Sequence, residues 1–400
     1  MTGCATPPAP VAPPGPATAE PLVQVGLVVG ASGATLGGDA ALQLTQPDGS
    51  PLVQIPATEA WRITALPGGV AVAPRSGGPA TVAEQIVVAS VDSLAWVRVN
   101  GRSYRGTLVL LRDRTGLTVV NRVSMEAYLL GVVSAEMGRR GPAEQQAVRA
   151  QAVVSRTYAL RNLGRWRAEG FDLYATVFDQ VYSGAGAETP EGREAVESTR
   201  GQVLTWNGGP IDAFFFSTCG GRTETGTDVF RGANVPYLQS VSDASPSGTA
   251  YCRISPRFRW REEWSGEGLR AVLRRSLPGV LSIDASRVDQ VRDVRVASRT
   301  ASDRVGLLTI VLGRESLDVD GPTVRQVLRT PAGEMLRSTA FTLDVRRSGG
   351  RIARLIAEGG GNGHGVGLCQ WGAVGRARAG QDYQQILSAY YGGTELTRWY

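Results

Sequence analysis

Asn121-Arg122-Val123-Ser124-Met125-Glu126-Ala127-Tyr128-Leu129-Leu130-Gly131-Val132-Val133-Ser134-Ala135-Glu136-Met137 is the stretch where the chain changes character. Upstream, apolar residues come in short runs broken by turn residues. From Ser124 they recur at spacings of three and four. Tyr128, Leu129, Val132, Val133 and Glu136 fall on one face of a helix that Ser124 can cap and Gly138 ends. A carboxyl on an apolar face loses hydration and holds its proton more tightly. That suits a general acid acting on a glycosidic oxygen. The plainer alternative for Glu136 is a structural ion pair with an arginine such as Arg156.

Working outward, Gly141-Pro142 opens a second helix to about Leu163, with Val148, Ala152, Ser155, Ala159 and Leu163 as its packing stripe. Upstream, between about Leu22 and Val120, strand–turn–strand signals repeat. Ala41–Gln46 and Leu52–Ile55 flank Pro47-Asp48-Gly49, and Trp61–Leu66 and Val70–Val72 flank Pro67-Gly68-Gly69. Val97–Val99 and Arg102–Tyr104 flank Asn100-Gly101, and Leu108–Leu111 and Leu117–Val120 flank Asp113–Gly116. Downstream, Gln202–Thr218 returns to strands around an Asn207-Gly208 turn. Residues from about Trp260 to Ile356 read as a helix followed by strands. A glycine run, Gly359–Gly367, leads to a small-residue helix and then to a last helix capped by Asp382. The fold class expected is α+β. A Pro/Ala-rich linker (1–20) precedes a β-rich N-terminal domain (21–120) and a mixed α/β catalytic domain (121–400).

The 400 residues carry a formal net charge of +6 with every basic residue an arginine, and Gly (51) and Pro (22) make up nearly a fifth of the chain. This favours short strands and turns over a helical bundle. A basic surface suits polyanionic surroundings such as cell-wall polymers, and without a nucleic-acid-binding signature nucleic acid is not expected as a partner. No run of 18 apolar residues would span a membrane. Met1-Thr2-Gly3-Cys4 resembles the end of a lipoprotein signal, so anchoring through a lipidated Cys4 is one expectation; a chance match is the other.

Among residues that carry chemistry, His364 is the single histidine and sits in the glycine run, where backbone can approach a ligand closely. A structural histidine in a turn is the equal alternative. Ser217-Thr218-Cys219-Gly220-Gly221 offers hydroxyls and amides for a sugar, or a simple strand-end turn. Cys219 and Cys252 are candidates for a disulfide, which would fit an extracytoplasmic location, or for free thiols. Zinc held by Cys219, Cys252, Cys369 and His364 is the less favoured alternative, so no cofactor is expected. A cysteine nucleophile paired with His364 is a further, weaker option.

The quoted stretch resembles the opening of the stage II sporulation protein D (SpoIID/LytB, amidase-enhancer) family. Three more stretches follow in the family's order. Ala150-Gln151-Ala152-Val153-Val154-Ser155-Arg156-Thr157-Tyr158-Ala159 is similar to its second signature and Phe216-Ser217-Thr218-Cys219-Gly220-Gly221-Arg222-Thr223-Glu224 to its third. Gly363-His364-Gly365-Val366-Gly367-Leu368-Cys369-Gln370-Trp371-Gly372-Ala373, with Ile386–Tyr391, resembles its C-terminal end. The resemblance runs from about Arg105 to Leu396. It implies a lytic transglycosylase that cuts the MurNAc–GlcNAc bond and leaves a 1,6-anhydro end, with Glu136 as catalytic acid. Asp179, Gln180 and Tyr182 resemble a further short family stretch. Arg156, Tyr158, Gln180, Ser217, Thr218, His364 and Gln370 become the substrate-contact candidates. Peptidoglycan strands are the implied partner, in the cell envelope. One departure is Phe216: the family often has His there, and some members bind zinc nearby with His and Cys, so its loss weakens the zinc expectation. The alternative function is a glycan-binding module that enhances a cell-wall amidase.

Overall fold

The computed structural model describes residues 19–400. The Pro/Ala run and Cys4 therefore lie outside the described residues, apart from Ala19 and Glu20. The fold is α+β, as expected, and it divides into two compact units. One comprises the residues up to Ala213 together with Glu395–Tyr400; the other is Phe214–Thr394.

In the first unit the hairpins foreseen from turn chemistry all form. Asn100 and Gly101 both take positive φ, 49° and 79°, between the paired strands Val97–Val99 and Arg102–Tyr104. A seven-stranded sheet runs in the order Leu173–Tyr174, Leu22–Ala31, Leu117–Ser124, Thr107–Arg112, Gln85–Ser90, Leu42–Thr45, Pro51–Ile55. A six-stranded sheet has Gly33–Gly38 and Trp61–Leu66 at its centre and lies against the first through Trp61–Leu66 and Gly69–Pro74. Alternate residues such as Leu42, Leu44, Ile63, Val70, Val72, Ile86 and Val88 fill the space between.

Residue 120 is not a boundary. The strand Leu117–Ser124 is central in the sheet and continues without a break into helix α1, Met125–Met137. Ser124 is the N-cap by position, but its side chain makes no capping bond. The carboxylate of Glu20 takes that role, accepting from the Glu126 N–H at 2.8 Å. A single 3-10 turn, Pro142–Glu144, leads into α2, Gln145–Arg161, and α3, Pro190–Ser198, packs on both. The strand Gln202–Trp206 pairs with Glu395–Arg398, which brings the end of the chain back to this unit.

The second unit differs from the expected helix-then-strands order. Arg259–Ser265 is a strand, and it precedes α4, Gly266–Leu281. A short helix, α5, Gly321–Val327, interrupts the strands that follow. Two three-stranded sheets share a core of Trp264, Leu269, Leu273, Leu277, Leu308, Ile310, Leu328, Leu336 and Leu355. Phe215–Phe216 and Leu368–Cys369 form a short parallel pair, and α6, Gln370–Arg378, follows directly. The last helix, α7, Tyr383–Tyr390, has the full capping box of Asp382 and Gln385. Among the described residues, no helix is long and apolar enough to cross a membrane.

Candidate functional site

Glu136 lies in the last turn of α1 and is half-buried beside the fully buried Val132 and Val133. Its Oε1 accepts the Val181 N–H at 3.3 Å. Val181 belongs to the loop between Tyr174 and α3, and neighbouring side chains pin this loop from below. The carboxylate side chain of Asp179 is fully buried. Its Oδ1 accepts from the Tyr158 hydroxyl at 3.0 Å and from Arg165 at 3.1 Å, and its Oδ2 accepts from the Trp166 ring N–H and the Tyr174 amide, both at 2.8 Å. Gln180 accepts from the Tyr128 hydroxyl at 3.2 Å. Tyr182 donates to Asn121 at 3.0 Å and presses its ring on Gly131, where a Cβ would come within 2.7 Å of it. α1 can pass under this loop because position 131 has no side chain. The result is a carboxylate at a surface, with one oxygen oriented by a backbone amide and buried hydrogen bonds fixing the loop that carries it.

Arg156 does something else. Its guanidinium is fully buried and grips Glu126 with two bonds, Nε to Oε1 at 2.9 Å and Nη2 to Oε2 at 2.6 Å. It also donates to the carbonyls of Val196 and Gln202. Gly201 N–H and the Tyr400 hydroxyl complete the shell of Glu126. Arg156 thus ties α1, α2, the end of α3 and the strand after it together, with no surface left for a glycan. The arginine that the plainer alternative gave to Glu136 belongs to Glu126. Tyr158 and Gln180 are likewise buried, and each supports the loop over Glu136. Burial, then the charge of Asp179, holds the Tyr158 phenol well above its ordinary range.

In the second unit, both nitrogens of His364 are used by backbone. Nε2 donates to the Phe215 carbonyl at 2.9 Å, and Nδ1 accepts the Val366 N–H at 3.1 Å. Rings of Phe214, Phe216 and Phe230 surround it. Burial, with a smaller contribution from Arg325 and Arg304, pushes its pKa down to about 4, so the ring is neutral at pH 7. The glycine run closes on the protein's own backbone: Asn362 bridges Thr218, and Glu224 N–H donates to Gly365 O. Thr218 is buried on the Ser255 hydroxyl at 2.8 Å, and Gln370 is buried in the first turn of α6. Ser217 keeps part of its surface.

Of the two readings for Cys219 and Cys252, the disulfide is not formed. Both are free thiols, with sulfurs 3.4 Å apart, and Cys369 joins them. Asp243, which no motif singled out, completes the cluster. Burial, then Cys252, pushes its carboxyl up to about 6.

Set beside known proteins, residues 113–206 match the family model described as SpoIID, stage II sporulation protein. Residues 250–367 match a second model, described as a domain of unknown function. An uncharacterized protein of Brachyspira hyodysenteriae is 31% identical over 299 residues, 74% of this chain and 73% of that protein. Stage II sporulation protein D of Bacillus subtilis is 30% identical over 301 residues, 71% of this chain and 77% of that protein. The amidase enhancer of Bacillus subtilis is 28% identical over 305 residues, 67% of this chain but 40% of that protein.

Proposed function

Because the chain belongs to the stage II sporulation protein D family, we propose that it acts on peptidoglycan in the cell envelope as a lytic transglycosylase with Glu136 as its acid. The observation that carries this is the setting of Glu136. It is a half-buried carboxyl on the stretch that resembles the family's opening, with one oxygen accepting the Val181 amide, while the guanidinium of Arg156 is paired with Glu126.

One carboxyl suffices for the chemistry. Glu136 donates its proton to the bridging oxygen as the C1–O bond of MurNAc breaks. The resulting carboxylate accepts the proton of the sugar's own C6 hydroxyl as O6 bonds to C1. The 1,6-anhydro ring forms, no water is consumed and the acid is regenerated. The second carboxylate of hydrolytic glycosidases has no task here. Tyr158, Gln180, Asp179 and Tyr182 act as positioning residues that hold the loop bearing Val181. Ser217 is the remaining candidate for a direct sugar contact in the second unit.

The test is incubation of purified protein with glycan strands, with and without stem peptides, beside Glu136→Gln. Mass spectrometry reads the ends. 1,6-AnhydroMurNAc from the unmutated chain, lowered about 10²–10⁴-fold in the variant, supports the proposal. Reducing ends would mean hydrolysis instead. Binding without products, with an added amidase accelerated, would replace it by the enhancer reading, which the name of one relative supports.

A further inference from the structure

In the second unit, one end of the sheet formed by Arg259–Ser265, Arg351–Gly360 and Phe341–Ser348 borders an open cavity of about 700 Å³. Residues from the turns at 219–222 and 299–304 also line it. Apart from the first of these turns, the lining lies in residues 250–367, the stretch that matches a domain of unknown function. The charge is one-sided. Arg222, Arg259, Arg261, Arg299 and Arg304 stand against two carboxylates, Asp303 and Glu358. We propose that this cavity, formed by the second unit alone, binds a carboxylate group of peptidoglycan; the choice of peptidoglycan rests on the function proposed above.

Three of the guanidinium groups are held in place by neutral carbonyls, which fix the charge without cancelling it. Arg259 Nη1 donates to the Gly220 and Phe258 carbonyls at 3.0 and 2.9 Å. Arg299 donates to those of Asp303 and Phe341 at 2.8 and 3.0 Å. Arg304 Nη2 donates to those of Cys219 and Arg222 at 2.8 and 3.2 Å. The Arg222 side chain is exposed and has no partner among the described residues. A concave surface lined by one sign of charge concentrates ligands of the other.

Two donors here also lack an acceptor. Arg304 Nη1 and Trp260 Nε1 are buried without a hydrogen-bond partner among the described residues, and both residues line the cavity. Native proteins rarely leave such donors unmet. An oxyanion entering the cavity would supply the acceptor that the chain does not.

The sheet leaves room for a ligand body beside the charge. Trp260 and Phe341 flank Gly359 on the neighbouring strands, with ring centroids 6.1 Å apart. A Cβ at Gly359 would come within 2.4 Å of the Trp260 ring, and one at Gly360 within 2.8 Å of Arg259 Nη1. The first two glycines of the glycine run therefore let a ring and a guanidinium lie close over the strand. The two rings add an apolar wall suited to a sugar or peptide. The cavity's own acids favour carboxylate over phosphate. Glu358 lies 3.3 Å from Arg261 Nε, and Asp303 lies 3.5 Å from Arg299 Nε. Both carboxylates are largely exposed, so these pairs are weak and exchangeable. They show guanidinium groups already placed to serve a planar carboxylate.

Peptidoglycan offers two such groups, the lactyl carboxylate of a peptide-free MurNAc and the carboxylates of stem peptides. The Glu136→Gln chain, which should bind without turnover, is titrated at low salt with N-acetylmuramic acid, its methyl ester and muramyl dipeptide. At least one acid should bind about tenfold or more tightly than the ester, and the tighter acid names the source. Binding should move the Trp260 indole N–H resonance, which Trp260→Phe identifies. Arg222 and Asp303 are exposed, so their variants should fold. Arg222→Gln should weaken binding about tenfold. Asp303→Asn removes a competing carboxylate at a left-handed position that Asn tolerates, and should strengthen binding. Equal binding of acids and ester, an unmoved Trp260 signal, inorganic phosphate bound in place of both acids, or no effect of Asp303→Asn would overturn the proposal. Anhydro ends from the unmutated chain with neither acid bound would sink this site and leave the role of Glu136 standing. Acids bound as expected, with no cleavage by the unmutated chain, would do the reverse.

Discussion

Glu126 and Glu136 sit on the same helix, yet their surroundings give them opposite tasks. Glu126 is buried and fully paired; Glu136 reaches the surface with one oxygen held by an amide. Removing Arg156 strands the carboxylate of Glu126 in the interior, so Arg156→Met should cost roughly 3–5 kcal/mol in urea denaturation. Adding Glu126→Leu should recover much of that loss, because an apolar pair needs no desolvation of charge. A contact with glycan as the main role of Arg156 would instead lower turnover and leave the midpoint unmoved. Spacing on the sequence singled out Glu136 because apolar neighbours recur around it. The same spacing could not assign Arg156, since a guanidinium twenty positions beyond one glutamate and thirty beyond the other can serve either, and only the fold chooses. Asp243 gave no signal at all: it stands alone in Val241-Ser242-Asp243-Ala244-Ser245, and its partners are far along the chain.

Two elements carry the organisation around these residues, and each can be tested separately. The loop over Glu136 is anchored by Asp179, whose two oxygens accept four bonds. Asp179→Asn turns one acceptor into a donor, which faces Trp166 and Tyr174 donors or the Arg165 cation. The loop should loosen, proteolysis at the exposed Val177 and Phe178 should speed up, and glycan cleavage should fall about 10–100-fold with Glu136 intact. Unchanged cleavage with a loosened loop would show that Val181 does not orient the acid. The glycine run around His364 is the second element. Its ring titrates near 4 when folded against an ordinary 6.5. Below pH 6.5 the unfolded chain takes a proton that the folded one refuses. Stability is therefore complete above 6.5 and declines as pH falls toward 4, by on the order of 3 kcal/mol. Denaturation of the unmutated chain at pH 7 and 4.5, minus the same difference for His364→Gln, isolates this from the carboxylates. The elements were legible wherever local chemistry fixes them: Asn100-Gly101, Asn207-Gly208 and the Asp382 cap all act as read. The strand Arg259–Ser265 was missed because Trp260 and Trp264 lie on its buried face four residues apart, a spacing a helix shares.

At the scale of the whole chain, the division into units departs from the order of the sequence. Composition changes at Ser124, and that change is one of secondary structure within a unit, not a boundary between two. The real boundary falls after Ala213, in a stretch without a linker-like composition, and the chain re-enters the first unit for its last six residues. No periodicity reports such a return, because strand pairing between Gln202–Trp206 and Glu395–Arg398 is settled by three-dimensional proximity alone. Those residues contribute more than an edge strand. Trp399 is buried, its amide donates to Gly201 O at 2.8 Å, and the Tyr400 hydroxyl donates to Glu126 Oε1 at 2.5 Å. Losing a buried tryptophan alone costs about 3–5 kcal/mol, a large part of the 5–15 kcal/mol that roughly holds a domain together. Deleting Glu395–Tyr400 should therefore loosen the first unit, although every strand of its two large sheets is kept. Hydrogen exchange should show Gln202–Trp206 and the first turn of α1 losing protection together, since Glu126 loses a bond when Tyr400 leaves. Tyr400→Phe, which keeps the strand and the tryptophan, should reproduce only the change at α1, at a cost of about 1.5–3 kcal/mol for one hydrogen bond to a charged group. Full protection at Gln202–Trp206 in the truncated chain would mean that this strand is held by α2 alone, and that the return of the chain adds nothing to the unit that carries Glu136.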